Sequence, residues 1–166
     1  MAKTSTFDIS STVDLQEVDN ALNQARKEIS QRFDFKDSTA EIEFSKKDGA
    51  LTLLSDDEYK LTALVDIVQS KLIKRGVPIR NLDYGEVEQA FGGKARQTIT
   101  LVQGISTEKG KEIVKAIKAA GFKKVNAQIQ DEQVRVSSPS IDELQEVIAM
   151  LKKHDFELEL SFGNFR

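Results

Sequence analysis

Arg32-Phe33-Asp34-Phe35-Lys36 places two aromatic rings among two cations and one acid within five consecutive residues. Such a set can hold a nucleotide: a base stacks on a ring, the cations take phosphate, and Asp34 accepts from a purine edge. If the segment is extended, Phe33 and Phe35 share one face and Arg32, Asp34 and Lys36 the other. The same residues also suit a structural role, with both rings in a core and the charges in water. A second constellation centres on Arg135, flanked by Val134 and Val136 and opposite Gln128 and Gln130 on a neighbouring strand. The sequence assigns it no acid. An arginine among amides suits a phosphate or guanine contact.

Other cations are open to two readings. Lys71, Lys74 and Arg75 crowd the last turns of a helix, where they either complement its dipole or reach a phosphate. Lys111, Lys115 and Lys118 recur at four- and three-residue steps. They form either a solvated helix face or a track for a phosphate backbone.

Catalytic chemistry finds few candidates. There is no cysteine, and His154 is the only histidine. No cluster of metal-ligating residues is visible, so neither a metal nor a cofactor is expected. Gly92-Gly93-Lys94-Ala95 lacks the glycine spacing and the hydroxyl residue of a phosphate-binding loop. Gln128-Ile129-Gln130 and Val134-Arg135-Val136 carry no stacking ring of the kind RNA-recognition sheets use.

The elements that must position these residues occur twice. Phe7-Asp8-Ile9 reads as a strand, and Leu15, Val18, Leu22, Ala25 and Ile29 as the stripe of a helix opened by Asp14 and Glu17. Ala40, Ile42 and Phe44 alternate with Glu41, Glu43 and Ser45. Leu51 to Leu54 return after Lys47-Asp48-Gly49 as the hairpin partner. Ser55 and Glu58 open a second helix striped by Leu61, Leu64, Val65, Val68 and Leu72, which Gly76 and Pro78 end. A weak strand is expected between Leu82 and Glu88, and a flexible joint from Tyr84 to Lys94. The order then repeats, with a strand at 98–102 and a helix around Ile113 and Ile117. A hairpin from Val125 to Val136, a helix from Ser140 to Leu151 and an alternating strand from Phe156 to Phe162 follow. Each copy is a βαββαβ unit, and the fold class is α+β: two ferredoxin-like domains in tandem. Their open sheet faces differ. Glu41, Glu43 and Thr52 in the first copy would repel phosphate, whereas Thr98, Thr100, Asn126, Gln128, Gln130, Gln133, Arg135 and Glu157 offer hydrogen bonds in the second.

Charge follows the same division. Residues 1–92 hold 12 Lys and Arg against 17 Asp and Glu, and residues 93–166 hold 12 against 10, so the second half is the better anion-facing one. Met1 to Ser10 is too polar for a signal peptide, and no apolar run spans a bilayer, so a cytosolic location is expected.

Several segments in order resemble the YajQ family of small bacterial proteins: Phe7-Asp8-Ile9, Arg32 to Lys36, Lys74-Arg75-Gly76, Gln103-Gly104-Ile105, Ile113 to Lys118, Gln128-Ile129-Gln130, Val134-Arg135-Val136 and Asn164-Phe165-Arg166. The resemblance implies that the two domains exchange their first strands. One domain then spans 11–103, including the strand near 98–102, and the other joins 1–10 to 104–166. It further implies a non-enzymatic nucleotide-binding protein acting as a regulator or accessory factor, with cyclic di-GMP, GTP or RNA as candidate ligands. A protein partner in gene regulation is a further implied contact. Phe33, Asp34, Phe35, Lys36, Lys74, Arg75, Gln128, Gln130, Arg135 and Arg166 are the candidate binding residues. The alternative is a protein-interaction module with no physiological nucleotide. By this resemblance the chain departs from the family at Asp37, where glycine or asparagine is common, at Asp131, where glycine is common, and at Ser138-Pro139-Ser140, which replaces a stretch usually carrying basic residues.

Overall fold

The computed structural model describes residues 3–166. In chain order the elements are β1 (Ser5–Ser10), α1 (Leu15–Gln31), β2 (Ala40–Ser45), β3 (Ala50–Ser55), α2 (Glu58–Lys74), β4 (Leu82–Tyr84), β5 (Glu88–Gln89) and β6 (Ala95–Leu101), then α3 (Thr107–Ala119), β7 (Asn126–Gln130), β8 (Gln133–Ser138), α4 (Ile141–Lys153) and β9 (Ser161–Gly163). Among the described residues no helix is long and apolar enough to cross a membrane. The chain forms two compact units, each a ferredoxin-like layer of helices on one face of an antiparallel sheet.

The unit Val13–Val102 has strand order β2-β3-β6-β4, with β5 also paired to β6. Strand alternation explains its single core: Ile42, Leu51, Leu53 and Ile99 are buried against Leu22, Leu61, Leu64 and Leu72 from the helices. Each fully buried aliphatic side chain contributes about 1.5–3 kcal/mol. Asp14 caps α1, accepting from the amides of Gln16 and Glu17. Asp57, rather than Ser55, caps α2, because Ser55 is the last residue of β3 while Asp57 reaches the Lys60 amide at 2.7 Å.

The expected joint at Tyr84–Lys94 is part of this unit. The Gly85 amide donates to the Thr98 carbonyl at 2.8 Å and that of Ala90 to the Lys94 carbonyl at 2.7 Å. A Cβ at Gly85 would stand 2.8 Å from the same Thr98 oxygen, so only glycine permits this approach.

The other unit joins the described residues up to Thr12 with Gln103–Arg166, in strand order β7-β8-β1-β9. Its core gathers Phe7, Ile9, Ile113, Ile117, Val134, Val136, Val147 and Leu151. Thr98 and Thr100, expected on this unit's open face, belong to β6 in the other sheet. The alternating stretch from Phe156 is a strand only at Ser161–Gly163. Phe156 and Leu158 are buried without strand pairing, and Glu157 takes a left-handed φ of 62° that breaks the pleat. Its carboxylate pairs with Lys109 at 3.6 Å instead of extending the sheet face. Asp37 and Asp131 are also left-handed, with φ of 61° and 54°, a conformation that glycine and asparagine adopt at less cost than most residues.

Candidate functional site

Arg32 to Lys36 are not extended. Phe33–Phe35 form a single 3-10 turn at the end of α1, closed by the Lys36 amide donating to the Phe33 carbonyl at 3.0 Å. The two rings therefore part. Phe35 is 5% exposed and belongs to the core, whereas Phe33 is 87% exposed. Phe35 is thus removed from the stacking candidates and Phe33 is left as the available ring.

Asp34 does not offer its carboxylate to a ligand. Arg32 donates to it through Nε at 2.9 Å and Nη2 at 2.8 Å, and the Arg32 Nη1 reaches Glu28 at 3.5 Å. The hydrogen bonds from Arg32 hold Asp34 below the usual carboxylate range and raise Arg32 in return. Lys60 donates to the Asp34 carbonyl and, like Arg32, lies 5.5 Å from the centroid of the Phe35 ring. Two cations, Arg32 and Lys60, thus tie the turn down through Asp34 and the Phe35 ring.

Beside it lies a groove of about 660 Å³ lined by Arg26, Ser30, Arg32, Phe33, Lys36, Asp37 and neighbouring residues. Lys36 and Arg26 pair with no carboxylate among the described residues. Arg26 instead donates to neutral groups, the Ile42 carbonyl at 2.7 Å and Asn23 Oδ1 at 2.8 Å, so its position is fixed and its charge uncompensated. Asp37 on the same rim can accept from a ribose hydroxyl or an exocyclic amine. Arg26 and Ser30 went unnoticed in the sequence. The four-residue step from Arg26 to Ser30 puts these two on one face of α1, but the helix ends at Gln31 and Arg32 is extended, so spacing alone could not bring Phe33 to them.

The remaining candidates lie elsewhere. Lys74 is exposed at the end of α2, while Arg75 is bound to Glu17 of α1 at 2.7 Å. Gln128 and Gln130 are exposed on β7, and Gln128 stands opposite Arg135 in register. Arg135 does have an acid. It donates to Asp8 through Nε at 2.9 Å and Nη2 at 3.3 Å, and Asn164 donates to the same carboxylate at 2.7 Å. The Arg135 hydrogen bond, foremost, holds Asp8 below the usual carboxylate range against the opposing effect of burial. Arg166 adds a favourable charge, its backbone exchanging two hydrogen bonds with Thr6 at 3.0 and 3.1 Å. The guanidinium is thereby committed within its own sheet.

A further cavity, of about 360 Å³, opens on the free sheet face of the Val13–Val102 unit, but Glu41 and Glu43 line it. Lys94, Arg96 and the exposed ring of Phe91 line it as well, but Arg96 is paired with Glu88, so the two carboxylates outnumber the one cation left without an ion pair among the described residues. Among the described residues no group of three or more His, Asp or Glu side chains is arranged to hold a metal ion.

Residues 5–166 match the family described as nucleotide-binding protein YajQ-like. A nucleotide-binding protein of Trichlorobacter lovleyi is 54% identical over 160 residues, which cover 96% of this chain and 98% of that one. One from Geotalea uraniireducens is 55% identical with the same coverage. One from Desulfitobacterium hafniense is 52% identical over the full length of both.

Proposed function

The chain belongs to the family of YajQ-like nucleotide-binding proteins, and on that premise we propose that it binds a nucleotide in the groove beside Phe33. The protein acts in the cytosol as a regulator or accessory factor, not as an enzyme. Cyclic di-GMP, GTP and short RNA are the candidate ligands.

The observation that carries this reading is Phe33. A phenyl ring 87% exposed forgoes about 1.5–3 kcal/mol of burial, and it stands where two uncompensated cations, Arg26 and Lys36, share a groove with it. Base-on-ring stacking returns about 1–3 kcal/mol on binding. The cations then meet the phosphate, and Asp37 the ribose or base.

Isothermal titration with cyclic di-GMP, GTP, ATP and a short RNA tests the proposal. Phe33→Ala should weaken the bound ligand about tenfold, within the range expected for one lost stack. Affinity for RNA should fall only modestly with salt, as two or three phosphate contacts dictate. If none of the four ligands binds, or Phe33→Ala binds as tightly as the parent, the groove is not a nucleotide site.

A further inference from the structure

We propose that the cleft between α3 and the edge strand β7 is a docking site for an extended peptide carrying acidic and apolar residues, added as a further strand to the sheet. The proposal is independent of the Phe33 groove, which lies in the other unit.

β7 is the outermost strand of its sheet and pairs only with β8. Its other edge presents backbone donors and acceptors in the form that a fifth strand would use. Natural sheets commonly guard such an edge with charged residues on the strand itself. Here the exposed residues of β7 are the neutral amides Asn126, Gln128 and Gln130. The charges sit across the cleft instead, on α3.

A cavity of about 470 Å³ runs between the two elements, floored by Val114, Ala127 and Ile129 and rimmed by Lys111, Lys115 and Lys118. None of the three lysines is in an ion pair among the described residues. Gly110 sets the helix close to the strand, since a Cβ there would meet Ile129 at 3.1 Å. The spacing of the lysines suits an extended chain. Lys111 and Lys115 are separated by four helical residues, roughly 6 Å of rise. Alternate residues of a strand advance by about 6.6 Å. Acidic side chains two residues apart would meet successive lysines, an apolar one next along the same face would cover Val114 and Ile129, and the intervening residues would lie on the face of the β7 amides.

Three uncompensated positive charges select an anionic partner, and the apolar floor with a free strand edge favours a peptide over a nucleic-acid backbone. The test uses the full chain and a fluorescein-labelled heptapeptide, Glu-Thr-Val-Thr-Glu-Thr-Glu, read by fluorescence anisotropy. A peptide with lysine at the glutamate positions and a short single-stranded RNA serve as the other arms. The acidic peptide should bind, and it should slow hydrogen exchange of the β7 amides. The combined Lys111→Glu, Lys115→Glu and Lys118→Glu variant should lose at least tenfold in affinity for it and gain affinity for the lysine peptide. Circular dichroism establishes that the variant is folded, as exposed substitutions should leave it. Failure of the acidic peptide to bind, equal binding by parent and variant, or binding of RNA alone at these lysines would each overturn the proposal.

Discussion

Arg135 on β8 and Asp8 on β1 stand directly opposite each other in an antiparallel pair and are joined by two side-chain hydrogen bonds. Asp8 is 7% exposed, so this is a nearly buried carboxylate whose charge depends on its partner. Removing the arginine leaves that charge short of compensation. Arg135→Ala is therefore expected to lower the melting temperature by several degrees, roughly 3–8 °C for a chain of this size. Nucleotide affinity should stay unchanged. Thermal melts and titrations on the same preparation separate these outcomes, and a loss of affinity without a loss of stability would return Arg135 to the binding site.

The same pair sets an acid response. Because the folded state holds Asp8 below its ordinary value, the stabilisation is complete above the unfolded carboxylate range. It is lost as pH falls through the depressed folded value. Melting temperatures recorded between about pH 6 and pH 3 should fall, and the difference between the parent and Arg135→Ala should narrow towards the acid end. A constant difference across the range would show that the ion pair contributes nothing.

Phe33 and Phe35 are predicted to respond oppositely. Phe35→Ala removes a core ring and should cost about 3–5 kcal/mol of stability in urea unfolding. Phe33→Ala, at an exposed position, should stay within about 0.5 kcal/mol of the parent. Equal losses would mean that the Phe33 ring is covered in solution.

We also propose that β1 is required by the sheet formed from the C-terminal segment, as the exchanged-strand arrangement demands. β1 pairs with both β8 and β9, and Phe7 and Ile9 are fully buried among them. A fragment of residues 103–166 should melt without cooperativity, and a peptide of residues 3–12 should restore a sharp transition. Cooperative melting of the fragment alone would show that β1 is dispensable.

Much of this fold can be read from local patterns. Ile42 and Phe44 alternating with Glu41 and Glu43 announce a strand with one covered face, and the stripes of α1 and α4 are plain at three- and four-residue steps. The site is less legible because local patterns are ambiguous there. The two-residue spacing of Phe33 and Phe35 is that of a strand, yet the segment is clamped into a tight turn by Lys60, 26 residues away from Asp34 in sequence. The acid that meets Arg135 lies 127 residues away and is found only through the register of β1 on β8. Pattern reports which face a residue takes. It does not report which distant strand lies beside it.

That β1 lies between β8 and β9 bears on how the protein is made. Residues 5–10 are synthesised long before β8, which starts at Gln133, and β9, which ends at Gly163. At about 5–20 residues per second, the opening segment waits roughly 8–30 s before its last neighbour is synthesised. Val13–Val102 holds the strands of its own sheet and can close within that interval, whereas Phe7 and Ile9 lack their partner strand until β8 is made. A chain stalled or truncated before Gln133 would lack both strands that pair with β1 and leave this segment as an unmatched strand, a natural target for holdase chaperones.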